Sequence, residues 1–181
     1  MENGMSNTKM LVIGAICVAL SFVLNQITLF RMPMGGSITP GGMLFIALAG
    51  YWLGPARGVL VGITVGLLGT ITGVWFLHPI QYMLDYLVGY GALGLAGLFR
   101  KLPHGLQIGF VAGAFLRFVS VFFAGWIFWG HYAPEGQHPA IYSALYNITY
   151  VGAEAIITLI IISVPIVKGA IDRITRESVS A

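Results

Sequence analysis

Six apolar runs, at roughly 9–29, 39–54, 56–74, 80–99, 106–128 and 144–167, fill most of this 181-residue chain and leave little sequence for a water-facing surface. A bilayer core about 30 Å thick is crossed by about 20 mostly apolar helical residues, and backbone exposed to lipid must satisfy its own hydrogen bonds. Runs of this kind fold as transmembrane helices. Hydrophobic residues make up 57% of the chain and charged residues 8%, against about 25% charged in a soluble domain. The expected fold class is therefore an all-α integral membrane protein, with six transmembrane helices in one bundle and a single domain over 1–181. The second and third runs are short and separated by Gly54-Pro55-Ala56-Arg57-Gly58, a turn signal that predicts a tight helical hairpin.

Placing the N-terminus in the cytoplasm puts Lys9, Arg57, Arg100, Lys101, Lys168, Arg173 and Arg176 on the cytoplasmic side and leaves Arg31 in an external loop. This fits the bias of Lys and Arg toward cytoplasmic loops, so both termini are expected inside a multi-pass protein of the bacterial plasma membrane. The first run lacks a small-residue cleavage site and is followed by further spans, which argues for a retained helix over a signal peptide. Cys17 stands alone, which excludes an internal disulfide and a multi-cysteine metal site. No metal, cofactor or nucleic-acid partner is expected.

The chain has no phosphate-binding loop, HExxH or GxSxG motif, and His78, His104, His131 and His138 fall at or beyond helix ends. Chemistry therefore rests on the ionisable residues inside the apolar runs: Asp85, Arg117 and Glu154. A charge there is costly and faces a cavity, a partner charge or a ligand. At 1.5 Å per residue Asp85 sits roughly 7 Å below the outer end of its helix, and Arg117 and Glu154 roughly 16 Å below theirs. Their matched depth predicts a buried Arg117–Glu154 ion pair, with Asp85 too shallow to join it. Arg117, Val121, Gly125 and Phe128 or Trp129 share one helix face, Tyr142, Tyr146 and Tyr150 make a stripe on the last run, and Asn147 and Glu154 make another. A carboxylate among aromatic rings suits a cationic, planar ligand. Small residues recur at close-packing spacings, including Gly58/Gly62/Gly66 and the pair Ala15/Ala19 on the first helix.

Several segments in one order carry a family likeness: Met32-Pro33-Met34-Gly35-Gly36-Ser37-Ile38-Thr39, His78-Pro79-Ile80-Gln81 leading to Leu84-Asp85-Tyr86, Leu116-Arg117 with Gly125 and Phe128-Trp129, Ala133-Pro134-Glu135-Gly136, and Ile141-Tyr142-Ser143 through Tyr146-Asn147. Over nearly its whole length the chain resembles the thiamine-specific substrate-binding subunits of energy-coupling-factor transporters. The resemblance implies a non-enzymatic vitamin receptor that captures thiamine at the outer face and docks on a transmembrane coupling subunit with two ATPase subunits. It carries the family's binding residues onto Asp85, Tyr86, Gly125, Trp129, Tyr142 and Asn147, and its docking motif onto Ala15 and Ala19. Trp75, Gln81, Val121 and His131 are further ligand-binding candidates. One departure stands out, because Val121 occupies the position where family members carry a histidine. That leaves a thiamine precursor or another heteroaromatic as the alternative ligand. A small intramembrane enzyme using Asp85 and a loop histidine as acid and base is the alternative of a different class.

Overall fold

The computed structural model describes residues 5–33, 35–73 and 77–179. Helix α1 (Asn7–Gln26) starts where the Ser6 hydroxyl accepts the Lys9 N–H at 3.3 Å, satisfying one of the donors that a helix N-terminus leaves open. A two-stranded antiparallel hairpin follows, β1 (Phe30–Arg31) with β2 (Ser37–Ile38), in the register Phe30↔Ile38 and Arg31↔Ser37. Helix α2 (Gly42–Leu53) and α3 (Pro55–Gly69) are separated only by Gly54, whose φ of 93° suits a residue without a side chain. A tight turn at Thr70–Thr72 extends α3. Then come α4 (Pro79–Phe99), α5 (Gly105–Phe128), α6 (Pro139–Ser163) and α7 (Pro165–Val179).

Among the described residues, α1, α3 with its extension, α4, α5 and α6 are long and apolar enough to cross a membrane. The 12-residue α2 is not: at 1.5 Å per residue it spans about 18 Å. It begins three residues later than the apolar run because Gly41 adopts φ 102° and the Thr39 hydroxyl accepts the Gly42 N–H at 3.3 Å, which holds residues 39–41 in a turn. Nearly all of α2 is buried, with Met43, Ile46 and Leu48 in the core beside Leu93 and Phe110. α1 packs on α2 and α3, α2 and α3 both pack on the end of α4, and α5 packs along α6.

Glycine sets how close these helices come. A Cβ on Gly94 would run into the backbone of Gly58 and Val59, and one on Gly58 would meet Gly50. α2, α3 and α4 thus cross in backbone contact, as small residues permit in membranes.

The last apolar run divides differently from its hydropathy. Pro139 sits in the first turn of α6 and His138 Nδ1 accepts the Ala140 N–H at 3.2 Å, so the helix starts at 139 and not at 144. It stops at Ser163, because Pro165 has no N–H to continue the ladder. The amphipathic α7 then folds back on α2 and α6, where Trp52 Nε1 donates to Thr175 Oγ1 at 3.0 Å.

Candidate functional site

α4 is not a regular helix. Residues Met83–Val88 form a π-helical turn between the α-helical Pro79–Tyr82 and Gly89–Leu93. Such wide turns recur at functional sites because they displace side chains from the regular helical register. Asp85 lies in this turn. The Leu84 carbonyl accepts Ser120 Oγ from α5 at 2.7 Å, so the altered ladder is stitched to the neighbouring helix.

Gln81, four residues before Asp85 and 1% exposed, donates its Nε2 to Asp85 Oδ2. Its Oε1 accepts the Leu77 N–H at 2.9 Å. A buried amide held at both ends orients the carboxylate. Tyr82, Tyr86 and Tyr90 follow along α4, with ring centroids 5.1 and 6.4 Å apart in sequence order.

Asp85, Tyr86, Gly125, Trp129, Tyr142 and Asn147 all line one open cavity of about 480 Å³, and Gln81 and Val121 line it too. The volume falls within the roughly 300–1,000 Å³ of small-molecule sites. His131 does not line it: its exposed ring packs on Tyr132 with centroids 4.2 Å apart. The residue sits in the tight turn Gly130–Tyr132 that follows α5. Trp75 lies outside the described residues.

Asn147 is fixed on all sides. Its Nδ2 donates to the Ser143 carbonyl and hydroxyl at 2.9 and 3.1 Å, and its Oδ1 accepts Tyr150 Oη at 2.9 Å. Ser143 Oγ in turn donates to the Phe122 carbonyl on α5 at 2.7 Å. Gly125 has a structural reason that spacing alone does not reveal: a Cβ there would strike Ser143 Oγ and come within 2.9 Å of Asn147 Nδ2. Its missing side chain makes room for the polar network of α6 as well as for the cavity.

The β-hairpin roofs the opening. Gly36 N–H donates to Tyr146 Oη at 3.2 Å, and Met32 and Ile38 pack against the small apolar cluster of Val121, Tyr150 and Val151. Val121 is 3% exposed, so one cavity wall is apolar where the resemblance expects an imidazole.

The expected Arg117–Glu154 ion pair is not formed. Both residues are buried and both line the cavity, with Asp85, but no ion pair joins any two of these three side chains among the described residues. The Arg117 guanidinium instead lies over the Tyr90 ring, its Cζ 4.0 Å from the centroid, a cation–π contact. Glu154 accepts a hydrogen bond from Thr39 Oγ1, at the end of the hairpin segment. Depth along separate helices set the expectation. It says nothing of a tyrosine on α4 or of a loop that reaches in from the mouth.

Sequence reasoning passed over Tyr90, Ser143, Tyr146, Tyr150, Arg31 and Thr39 as site residues, yet all line the cavity. The tyrosine stripe of α6 and the spacing of Tyr86 and Tyr90 were signals for three of them, Tyr90, Tyr146 and Tyr150. Ala15 and Ala19 are exposed on α1, flanked by exposed Leu11, Val12, Ile16 and Leu20.

A polar, aromatic-walled cavity sunk into one end of an all-helical bundle defines a multi-pass membrane protein with a small-molecule site. Residues 11–171 match the family described as thiamine transporter protein (Thia_YuaJ), and the chain belongs to that family. The thiamine transporter ThiT of Bacillus subtilis is 31% identical over 164 residues, covering 82% of this chain and 85% of the relative. ThiT of Lacticaseibacillus paracasei is 26% identical over 169 residues, covering 84% and 82%. The solved structure of ThiT from Listeria monocytogenes superposes with a TM-score of 0.70 at 23% identity, over 94% of this chain and 95% of that one, and so shares the fold. Members of the family are named as transporters, which sets aside the enzyme alternative.

Proposed function

We propose that this chain is the thiamine-capturing membrane subunit of an energy-coupling-factor importer. The observation that carries this reading is the cavity itself, in which Asp85 is held by Gln81 among the rings of Tyr86, Trp129 and Tyr142. Thiamine pairs a permanently cationic thiazolium with a flat aminopyrimidine. Aromatic faces attract the cation by about 0.5–2 kcal/mol per good contact, Asp85 supplies the opposite charge, and the remaining lone pair of Asn147 Oδ1 and the tyrosine hydroxyls offer acceptors and donors to the pyrimidine edge.

The cavity lies at the end of the bundle that carries the β-hairpin and residues 129–142, and the other end carries Arg57, Arg100, Lys101 and Lys168. The positive-inside bias then turns the cavity outward, with both termini in the cytoplasm. Uptake needs a source of energy outside this chain, whose sequence has no phosphate-binding loop. In this reading a transmembrane coupling subunit with two ATPase subunits supplies it, and Ala15 and Ala19 form the contact on the outer face of α1.

Titrating the detergent-solubilised protein with thiamine while following intrinsic tryptophan fluorescence tests the reading, since Trp129 lines the cavity. Saturable quenching by thiamine that the isolated hydroxymethylpyrimidine precursor does not compete away supports it. Tighter binding of the precursor transfers the site to that ligand, the alternative that the apolar Val121 wall keeps open.

A further inference from the structure

A hydroxyl inside a helix ordinarily falls back on its own ladder, as those of Thr64, Thr149 and Ser163 do here, each donating to the carbonyl four residues before it. Ser120 does not. It is 5% exposed in the middle of α5, and its Oγ crosses to the Leu84 carbonyl of α4 at 2.7 Å. The same carbonyl accepts the Gly89 N–H, five residues further along, which is the kind of bond that closes a π-helical turn. A carbonyl oxygen has two lone pairs, and both are taken. The Val88 N–H, which an α-helical turn would set on Leu84, is thereby shut out.

The register decides which side chains of α4 reach the cavity. Those that line it are Gln81, Asp85, Tyr86 and Tyr90, and the step from Asp85 to Tyr90 is five. In a regular helix of 3.6 residues per turn, five residues overshoot one turn by roughly 140°, which would put Tyr90 on a different face from Asp85. A turn closed from residue i to i+5 brings residue 90 back toward the face of residue 85. The Tyr90 ring then lies under the Arg117 guanidinium while the Asp85 carboxylate stays with Gln81. Gly89 keeps the two helices close enough for Ser120 to reach. A Cβ there would lie 3.2 Å from the Leu84 carbonyl oxygen and 3.6 Å from Arg117 Cγ on α5.

We propose that Ser120 is a positioning residue of the ligand site, its hydroxyl holding the π register of α4 that aims Asp85 and Tyr90 into one cavity. It acts through the Leu84 carbonyl and does not itself line the cavity. The inference rests on the thiamine reading above and extends it to how the counter-charge is held in place.

The test compares wild type with Ser120→Ala, which removes the hydroxyl, and Ser120→Thr, which restores one, in the purified full chain. Backbone amide exchange across residues 83–90, followed by mass spectrometry without ligand, reads the turn. Titration with thiamine and with the uncharged hydroxymethylpyrimidine reads the site. Ser120→Ala is expected to speed exchange in that segment by at least about threefold. It should weaken thiamine binding by at least about fivefold and the uncharged probe by less than about twofold, because the counter-charge is what moves. Ser120→Thr should recover both readouts. In an Asp85→Asn background the Ser120→Ala change should weaken thiamine by less than about twofold, since coupled residues do not add. Thiamine affinity within about twofold of wild type in Ser120→Ala overturns the proposal. Equal weakening of both probes also overturns it, being the mark of general loosening, as does a folded Ser120→Thr that binds no better than Ser120→Ala. Should Ser120→Ala fail to fold, Ser120→Cys, of nearly the same shape and with only a weak donor, is read in its place by the same criteria. A folded wild type that binds neither probe refutes the thiamine reading itself. The exchange readout needs no ligand and still decides the role of Ser120 in that case, for unchanged exchange in Ser120→Ala overturns it.

Discussion

Asp85→Asn isolates the charge of the cavity from its shape. The substitution keeps the side-chain outline, and the new amide oxygen still accepts from Gln81 Nε2, so the Leu77–Gln81 hydrogen bond and the π-helical turn have no reason to rearrange. What disappears is one negative charge. At about 5 Å from a thiazolium and an effective dielectric constant of about 20, its attraction amounts to roughly 3 kcal/mol. Desolvation of both partners lowers the net, and hydrogen bonds to charged groups contribute about 1.5–3 kcal/mol. The expected loss is therefore about 2 kcal/mol, or roughly thirtyfold in Kd. Isothermal titration or tryptophan quenching on purified wild type and variant reads this directly. The uncharged hydroxymethylpyrimidine serves as the internal control, because it lacks the thiazolium and should lose much less. Thiamine affinity within about twofold of wild type in a folded variant would refute the assignment of Asp85 as counter-charge. Equal losses for thiamine and the uncharged control would show that the carboxylate organises the site and does not pair with the cation.

Three further outcomes follow from the packing. Gly125→Ala places a methyl group against Ser143 Oγ and Asn147 Nδ2, and breaking that buried network should weaken thiamine binding by at least about tenfold, measured against a melting curve that reports folding separately. Trp129→Ala should cost about 0.5–2 kcal/mol of affinity through lost stacking and cation–π attraction and should also remove most of the fluorescence response, so calorimetry is the measurement that checks it. Ala19→Trp alters an exposed position on α1 and should abolish uptake by cells while leaving ligand binding by the isolated chain intact; loss of both together would mean that the α1 face supports the bundle itself.

The charge-poor apolar runs determine the membrane class, because the cost of burying or exposing each residue in lipid is local and adds up along a window. They also single out Asp85, Arg117 and Glu154, since an ionisable group in such a run needs a compensating reason wherever the rest of the chain goes. Stripes such as Tyr142, Tyr146 and Tyr150 are equally legible, for helical spacing fixes which residues share a face. What those faces meet is another matter. Thr39 donates to Glu154 across 115 residues of sequence, and Ser120 reaches the Leu84 carbonyl across 36; no periodicity encodes either contact. Tertiary packing placed Arg117 over Tyr90 and left Glu154 to the hairpin segment, so two charges of matched depth face a shared cavity without pairing. It also assigned Gly125 to the Ser143–Asn147 network. Which residues are costly to bury is a property of each residue and its near neighbours, and the sequence alone determines it; which partner meets that cost depends on how close the helices approach, and only the assembled bundle decides it.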